Sequence, residues 1–213
     1  MPNRSAGALF GVKYFKAGSK ERIIADPSDP YYYETFVGGH EIRVERGDCA
    51  YWLEADLKTA HLTRGPATVR SEHFCTLVRG YAPENRSTSI TNGTVLPYVN
   101  GCSTKQLFPP DRPGDPTLQM LLIPPQSSEQ AHHIHSTVRS VYVLAGRGTS
   151  VVGMNKKTES TTLEPGMVCI LERMCPHHFE TADSPLLVLP VHVWSTSPHV
   201  ENNHPMYNGT FRM

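Results

Sequence analysis

Apolar and β-branched residues come in brief runs in this chain, each bounded by turn formers. From residue 41 onward these runs are Glu41 to Val44, Cys49 to Leu53, Ala67 to Val69, Phe74 to Val78, and Ser89 to Leu96 around Asn92-Gly93. Such alternation predicts short strands, and Asn-Gly between two of them predicts a hairpin. The first 40 residues hold no 3.6-residue period, so strands or arms fit them better than helices. Residues 97 to 117 carry five prolines and two glycines, which reads as a surface connection. Beyond it the pattern sharpens into Leu118 to Ile123, His132 to His135, Val138 to Ala145, Thr149 to Gly153, Thr158 to Leu163, Met167 to Leu171 and Leu186 to Trp194. Seven short strands so closely spaced predict a sandwich or barrel, not βαβ units. The expected organisation is a β-rich N-terminal extension (1–100), a barrel (101–195) and a polar tail (196–213). A weak echo between Phe74–Gly80 and Ser140–Gly146, each a strand ending in glycine, adds a degenerate second barrel as an alternative for the first half.

Composition narrows the function classes. The 213 residues include 20 Lys+Arg and 20 Asp+Glu, a net charge of zero that argues against a nucleic-acid stripe or a polybasic membrane anchor. The apolar stretch Ala6 to Val12 is broken by Gly7 and Gly11, which does not suit a signal peptide, and no apolar run is long enough to span a bilayer. Five cysteines without a CxxC pair read as reduced, buried thiols. A cytoplasmic protein is expected, and extra strands covering sheet edges make a homodimer the default.

The histidines change the picture, because five of the eleven (His132, His133, His135, His177, His178) fall within 47 residues. Alternate residues of a strand share a face, so His133 and His135 can present two imidazoles to one ion while His132 turns away with Ile134. His177, about forty residues on, can close the site from a neighbouring strand. In order and spacing these residues resemble the cupin superfamily: His133 and His135 match the first motif's two histidines, Gly146 its closing glycine, Gly166 the second motif's opening glycine and His177 its histidine. The motif's glutamate position falls on Arg139, or on Ser140 at the alternative spacing. Glu172, Met174 and Thr181 replace the second motif's Pro, Gly and Asn.

The resemblance implies an all-β, double-stranded β-helix (a cupin 2-type jelly roll) with additional N-terminal strands and a three-histidine site without the carboxylate. Such sets resemble those of Fe(II)-using thiol, β-diketone and gentisate-type dioxygenases. Fe(II) is therefore the preferred ion, with Zn(II), Ni(II) or Mn(II) as alternatives. Three neutral imidazoles leave a divalent ion its full charge and open positions, which favours a small carboxylate-bearing or chelating substrate. Arg139 would anchor that substrate, and Tyr142 and His192 are candidate pocket groups, each with core packing as its plain alternative. Glu129 and Glu172 are candidate bases. A metal-assisted lyase, isomerase or decarboxylase, and a non-catalytic small-molecule binder, stay open as the other readings.

Overall fold

The structure is a computed structural model that describes residues 10–24, 32–91, 93–154 and 157–194. The 196–213 tail, Tyr31 and Asn92 lie outside the described residues. Ten strands precede residue 100: β1 (Val12–Phe15), β2 (Glu21–Ile24), β3 (Tyr33–Val37), β4 (His40–Val44), β5 (Cys49–Leu53), β6 (Thr59–Arg64), β7 (Ala67–Ser71), β8 (Phe74–Val78), β9 (Arg86–Ser89) and β10 (Leu96–Pro97). Eight follow: β11 (Ser103–Phe108), β12 (Thr117–Ile123), β13 (Thr137–Gly146), β14 (Gly148–Met154), β15 (Lys157–Leu163), β16 (Val168–Leu171), β17 (His177–Glu180) and β18 (Leu186–Trp194).

The second half is the expected jelly roll. One sheet runs β1-β16-β13-β18-β12-β11-β10 and the opposing one β15-β14-β17. The segment 128–135 completes the opposing sheet through two bridges, Ser128 to Glu180 and His133 to His177. Its short contact explains why His132–His135, expected as a strand, is held at single points and not by a continuous ladder.

The first half repeats this plan in reduced form. Its main sheet runs β2-β3-β8-β5-β6-β9 and faces the two-stranded ladder β4-β7. Position by position, β3-β8-β5-β6 stands where β12-β18-β13-β16 stands in the other half, and β4-β7 stands where the 128–135 segment and β17 pair. Among the described residues nothing corresponds to the β14-β15 hairpin. The N-terminal strands therefore form a degenerate second barrel. The sequence echo nevertheless joined strands that are not equivalent, since β8 corresponds to β18 and not to β13.

Two other expectations are corrected. The runs flanking Asn92-Gly93 do not form a hairpin, because β9 pairs with β6 and β10 with β11. The presumed connection 97–117 contains β11, which pairs antiparallel with β12 despite the surrounding prolines.

The two large sheets pack against each other, so their strands are covered on both faces and read as nearly continuous apolar runs. On β13, Val138 and Tyr142 face the layer between the halves with Tyr51, Phe74 and Val191. Val141 and Val143 face the interior of the second barrel with Leu121, Leu171 and Val188. Full burial of each such side chain contributes about 1.5–3 kcal/mol. A Thr35–Ser140 hydroxyl bond of 2.7 Å crosses the apolar seam. At the end of β13, Gly146 has φ +80°, and a Cβ there would lie 1.9 Å from the Pro185 carbonyl oxygen, so only glycine fits.

Candidate metal centre

Strand parity on β13 decides which residues reach the barrel interior. Arg139 shares the inward face of Val141 and Val143, and its cross-strand partner His192 on β18 shares it too. Tyr142 is on the opposite face, 2% exposed, its ring centroid 5.8 Å from that of Phe74. It is therefore removed from the candidate site: one residue along a strand turns a side chain to the other face.

His133 and His177 are joined by two reciprocal backbone hydrogen bonds, His133 N to the His177 carbonyl at 3.1 Å and His177 N to the His133 carbonyl at 2.9 Å. Directly opposed residues of an antiparallel pair project to the same side, and His135, two residues on, joins them. Their ligand atoms lie within 4.8 Å of one another, so the three histidines form a group that could hold a metal ion. His133 Nε2 and His135 Nε2 are 2.8 Å apart.

Two tautomers are set by the backbone. His133 Nδ1–H donates to the Ala131 carbonyl at 2.8 Å and His177 Nδ1–H to the Cys175 carbonyl at 2.6 Å, which leaves each Nε2 unprotonated, the form in which it can ligate. Burial pushes His133 down to about 4, with Arg139 adding to the effect. It pushes His177 down to about 2, again helped by Arg139. Both rings are thus neutral near pH 7, the protonation state a metal ligand needs. Geometry, tautomer and charge all fit a divalent ion.

The neighbouring histidines and Cys175 are used differently. His132 Nε2–H donates to the Gly153 carbonyl at 2.5 Å, and its Nδ1 is 2.8 Å from His178 Nδ1, so this pair faces away from the triad. Burial pushes the Cys175 thiol up to about 12, which keeps it protonated and unsuited to ligation.

Arg139 departs most from an ordinary metal site. Its guanidinium is 5% exposed, and Nη2 donates to His177 Nε2 at 2.5 Å. Its Nε is buried without a hydrogen-bond partner, and it forms no ion pair with a carboxylate among the described residues. A buried, unpaired charge is costly. The nearby acid, Glu129, is itself buried and accepts a hydrogen bond from Phe179 N at 3.3 Å. Burial raises its pKa and Arg139 opposes that shift. Glu172, the other candidate base, is at the surface in an ion pair with Lys13 at 3.2 Å.

A cavity of about 190 Å³ opens beside the triad, lined in part by His135, Arg139, His192, Glu129, Gln106 and Gln119. Desolvation in this setting pushes His192 down to about 3, with Arg139 contributing. Gln106 and Gln119, facing partners on β11 and β12, escaped the sequence reading. The available signal was Gln119 interrupting the apolar run Leu118 to Ile123. At the rim, Gln130 Nε2 donates to the Tyr98 hydroxyl.

Residues 119–192 match the family model described as the cupin domain. No curated protein matches the sequence. Among solved structures, the chain is similar to Streptomyces albus HEPD with 2-hydroxyethylphosphonate and Fe(II) bound (TM-score 0.59, 8% identity, covering 91% of this chain and 78% of that one). It is also similar to a Pseudomonas aeruginosa protein described as glyoxylate-induced (TM-score 0.56, 12% identity, 87% and 82% covered). A third is a point mutant of Bacillus subtilis oxalate decarboxylase (TM-score 0.50, 7% identity, 86% and 77% covered). At these identities the likeness concerns the fold, and its extent over both halves agrees with the two-barrel topology.

Proposed function

We propose that this protein is a metal-dependent cupin enzyme, an Fe(II) dioxygenase acting on a small carboxylate-bearing or chelating substrate. The observation that carries the reading is the buried Arg139 guanidinium, which forms no ion pair with a carboxylate among the described residues, beside the three histidines and a small cavity. His133, His135 and His177 would hold the ion, which supplies a Lewis-acidic and redox-active centre for substrate and O2. Arg139 pairs with the substrate carboxylate and offsets its charge. Gln106 and Gln119 orient the substrate's polar groups, and the apolar wall formed by Leu121, Val141 and Phe179 limits water. His192 contributes a neutral ring to the same wall.

Glu129 favours one alternative. Burial raises the pKa of Glu129, and a carboxyl lining the cavity can exchange a proton with substrate, as a metal-assisted lyase or decarboxylase requires. Oxygen consumption by the Fe(II)-loaded protein over a panel of thiols, diketones and hydroxybenzoates separates the readings. Turnover without O2 uptake would replace the dioxygenase by the lyase, and binding of panel members without turnover would leave a small-molecule binder.

The same reading takes the protein as a cytoplasmic homodimer. Five free, buried cysteines suit a reducing compartment. The exposed apolar residues Val95, Leu96 and Val99 around edge strand β10 favour self-association.

A further inference from the structure

A buried cation, Arg139, is bound to one of the three histidines. His177 Nδ1 is committed to the Cys175 carbonyl, so Nε2 is the only nitrogen that ring can offer an ion. Arg139 Nη2 occupies that lone pair. The contact is a modest attachment for the guanidinium, because its Nε stays buried and unpartnered. An oxyanion in the adjoining cavity would be a better partner for Arg139 than a neutral imidazole, since it brings an opposite charge and can accept two parallel N–H bonds from the guanidinium. A divalent ion at the triad and a fixed guanidinium beside it would also repel each other until negative charge lay between them.

We propose that Arg139 is an anion-responsive latch on the three-histidine cluster. It holds the His177 lone pair until a carboxylate or similar small oxyanion entering the cavity draws it off. Divalent ion and anion therefore bind as a pair, each raising the affinity for the other by the same factor. This rests on the metal-site reading above and adds to it an order of assembly: without anion the triad is partly blocked, and with anion it is complete.

The test is Mn(II) binding to the full-length protein, read from the loss of the free-ion EPR signal, in chloride and in acetate at matched ionic strength. Wild-type protein is expected to bind Mn(II) about tenfold more tightly in acetate. Arg139→Gln should bind it about tenfold more tightly than wild type in chloride, with acetate changing that affinity less than about twofold. Arg139→Met, which removes the charge with different packing, should behave as Arg139→Gln does. The wild-type comparison requires no variant, so an acetate effect below about twofold overturns the latch even if both variants fail to fold. Equal acetate effects in wild type and variants overturn it as well, leaving the metal site intact. Failure of wild type and variants to bind Mn(II) in either salt overturns the metal site and the latch together.

Discussion

Arg139 and His192 are direct partners across β13 and β18, with both side chains on the barrel's inner face. A permanent cation next to a desolvated imidazole keeps that imidazole neutral, and His192 is pushed down from 6.5 to about 3. As the pH falls below 6.5, the unfolded chain takes up this proton and the folded protein does not. The resulting stability is fully present above 6.5 and is lost progressively toward 3. His133, pushed down to about 4, acts in the same direction. The urea midpoint of metal-free protein should therefore drop between about pH 7.5 and pH 4.5. His192→Gln should remove up to about 1.4 kcal/mol per pH unit of that slope. An unchanged slope would show that His192 is not held neutral by its surroundings.

Removing the Arg139 charge should stabilise the metal-free protein. Arg139→Met replaces a buried guanidinium that forms no carboxylate ion pair among the described residues by an apolar chain of similar reach, with an expected gain of about 1–3 kcal/mol. Thermal unfolding would register this as a rise in Tm of several degrees. A fall in Tm would mean that the His177 contact outweighs desolvation.

The triad and its neighbours should respond oppositely in metal content. Elemental analysis of His177→Ala, or of the His133→Ala/His135→Ala double variant, should find the bound ion reduced to background. His178→Ala and His132→Ala should each retain about one ion per chain. Loss of the ion in the His132 variant alone would move the site to the other face of the 128–135 segment.

Tyr142 and Gln119 should differ as seam and cavity residues do. Tyr142→Phe keeps the ring against Phe74 and should leave both metal content and substrate KM unchanged. Gln119→Leu keeps the strand but removes an amide facing the cavity, and should raise KM or weaken ligand binding by about tenfold, the loss of one hydrogen bond's worth of affinity. The reverse pattern in steady-state kinetics would place the site in the seam between the halves.

Most of the second barrel was legible because its strands are short, β-branched and closed at backbone positions that few residues but glycine can adopt, such as that of Gly146. The candidate metal ligands were legible for a related reason, the two-residue period that puts His133 and His135 on one side. The first half was less readable. Its barrel lacks the β14-β15 hairpin, and its interior is filled by Phe36, Ile42, Val44, Val69 and Leu77, with no comparable group of three ligand side chains among the described residues. With neither motif nor polar signature, its equivalence to the second half exists in strand order alone. Gln106 was missed because prolines around β11 resembled a connection, although a pairing partner on β12 outweighs that local signal.

Local chemistry thus determined the strand character, the alternation of faces and the set of three imidazoles, since each depends on neighbours within a few residues. Tertiary structure decided which face of β13 looks into the barrel, and with it that Arg139 enters the site while Tyr142 leaves it. It also decided that His177 meets His133 across a backbone pair, and that Arg139 reaches the His177 nitrogen an ion would need. The physical reason is that a strand's period assigns residues to two sides but cannot label them inside and outside. That label comes only from what packs against each side, here a second sheet from the other half of the chain.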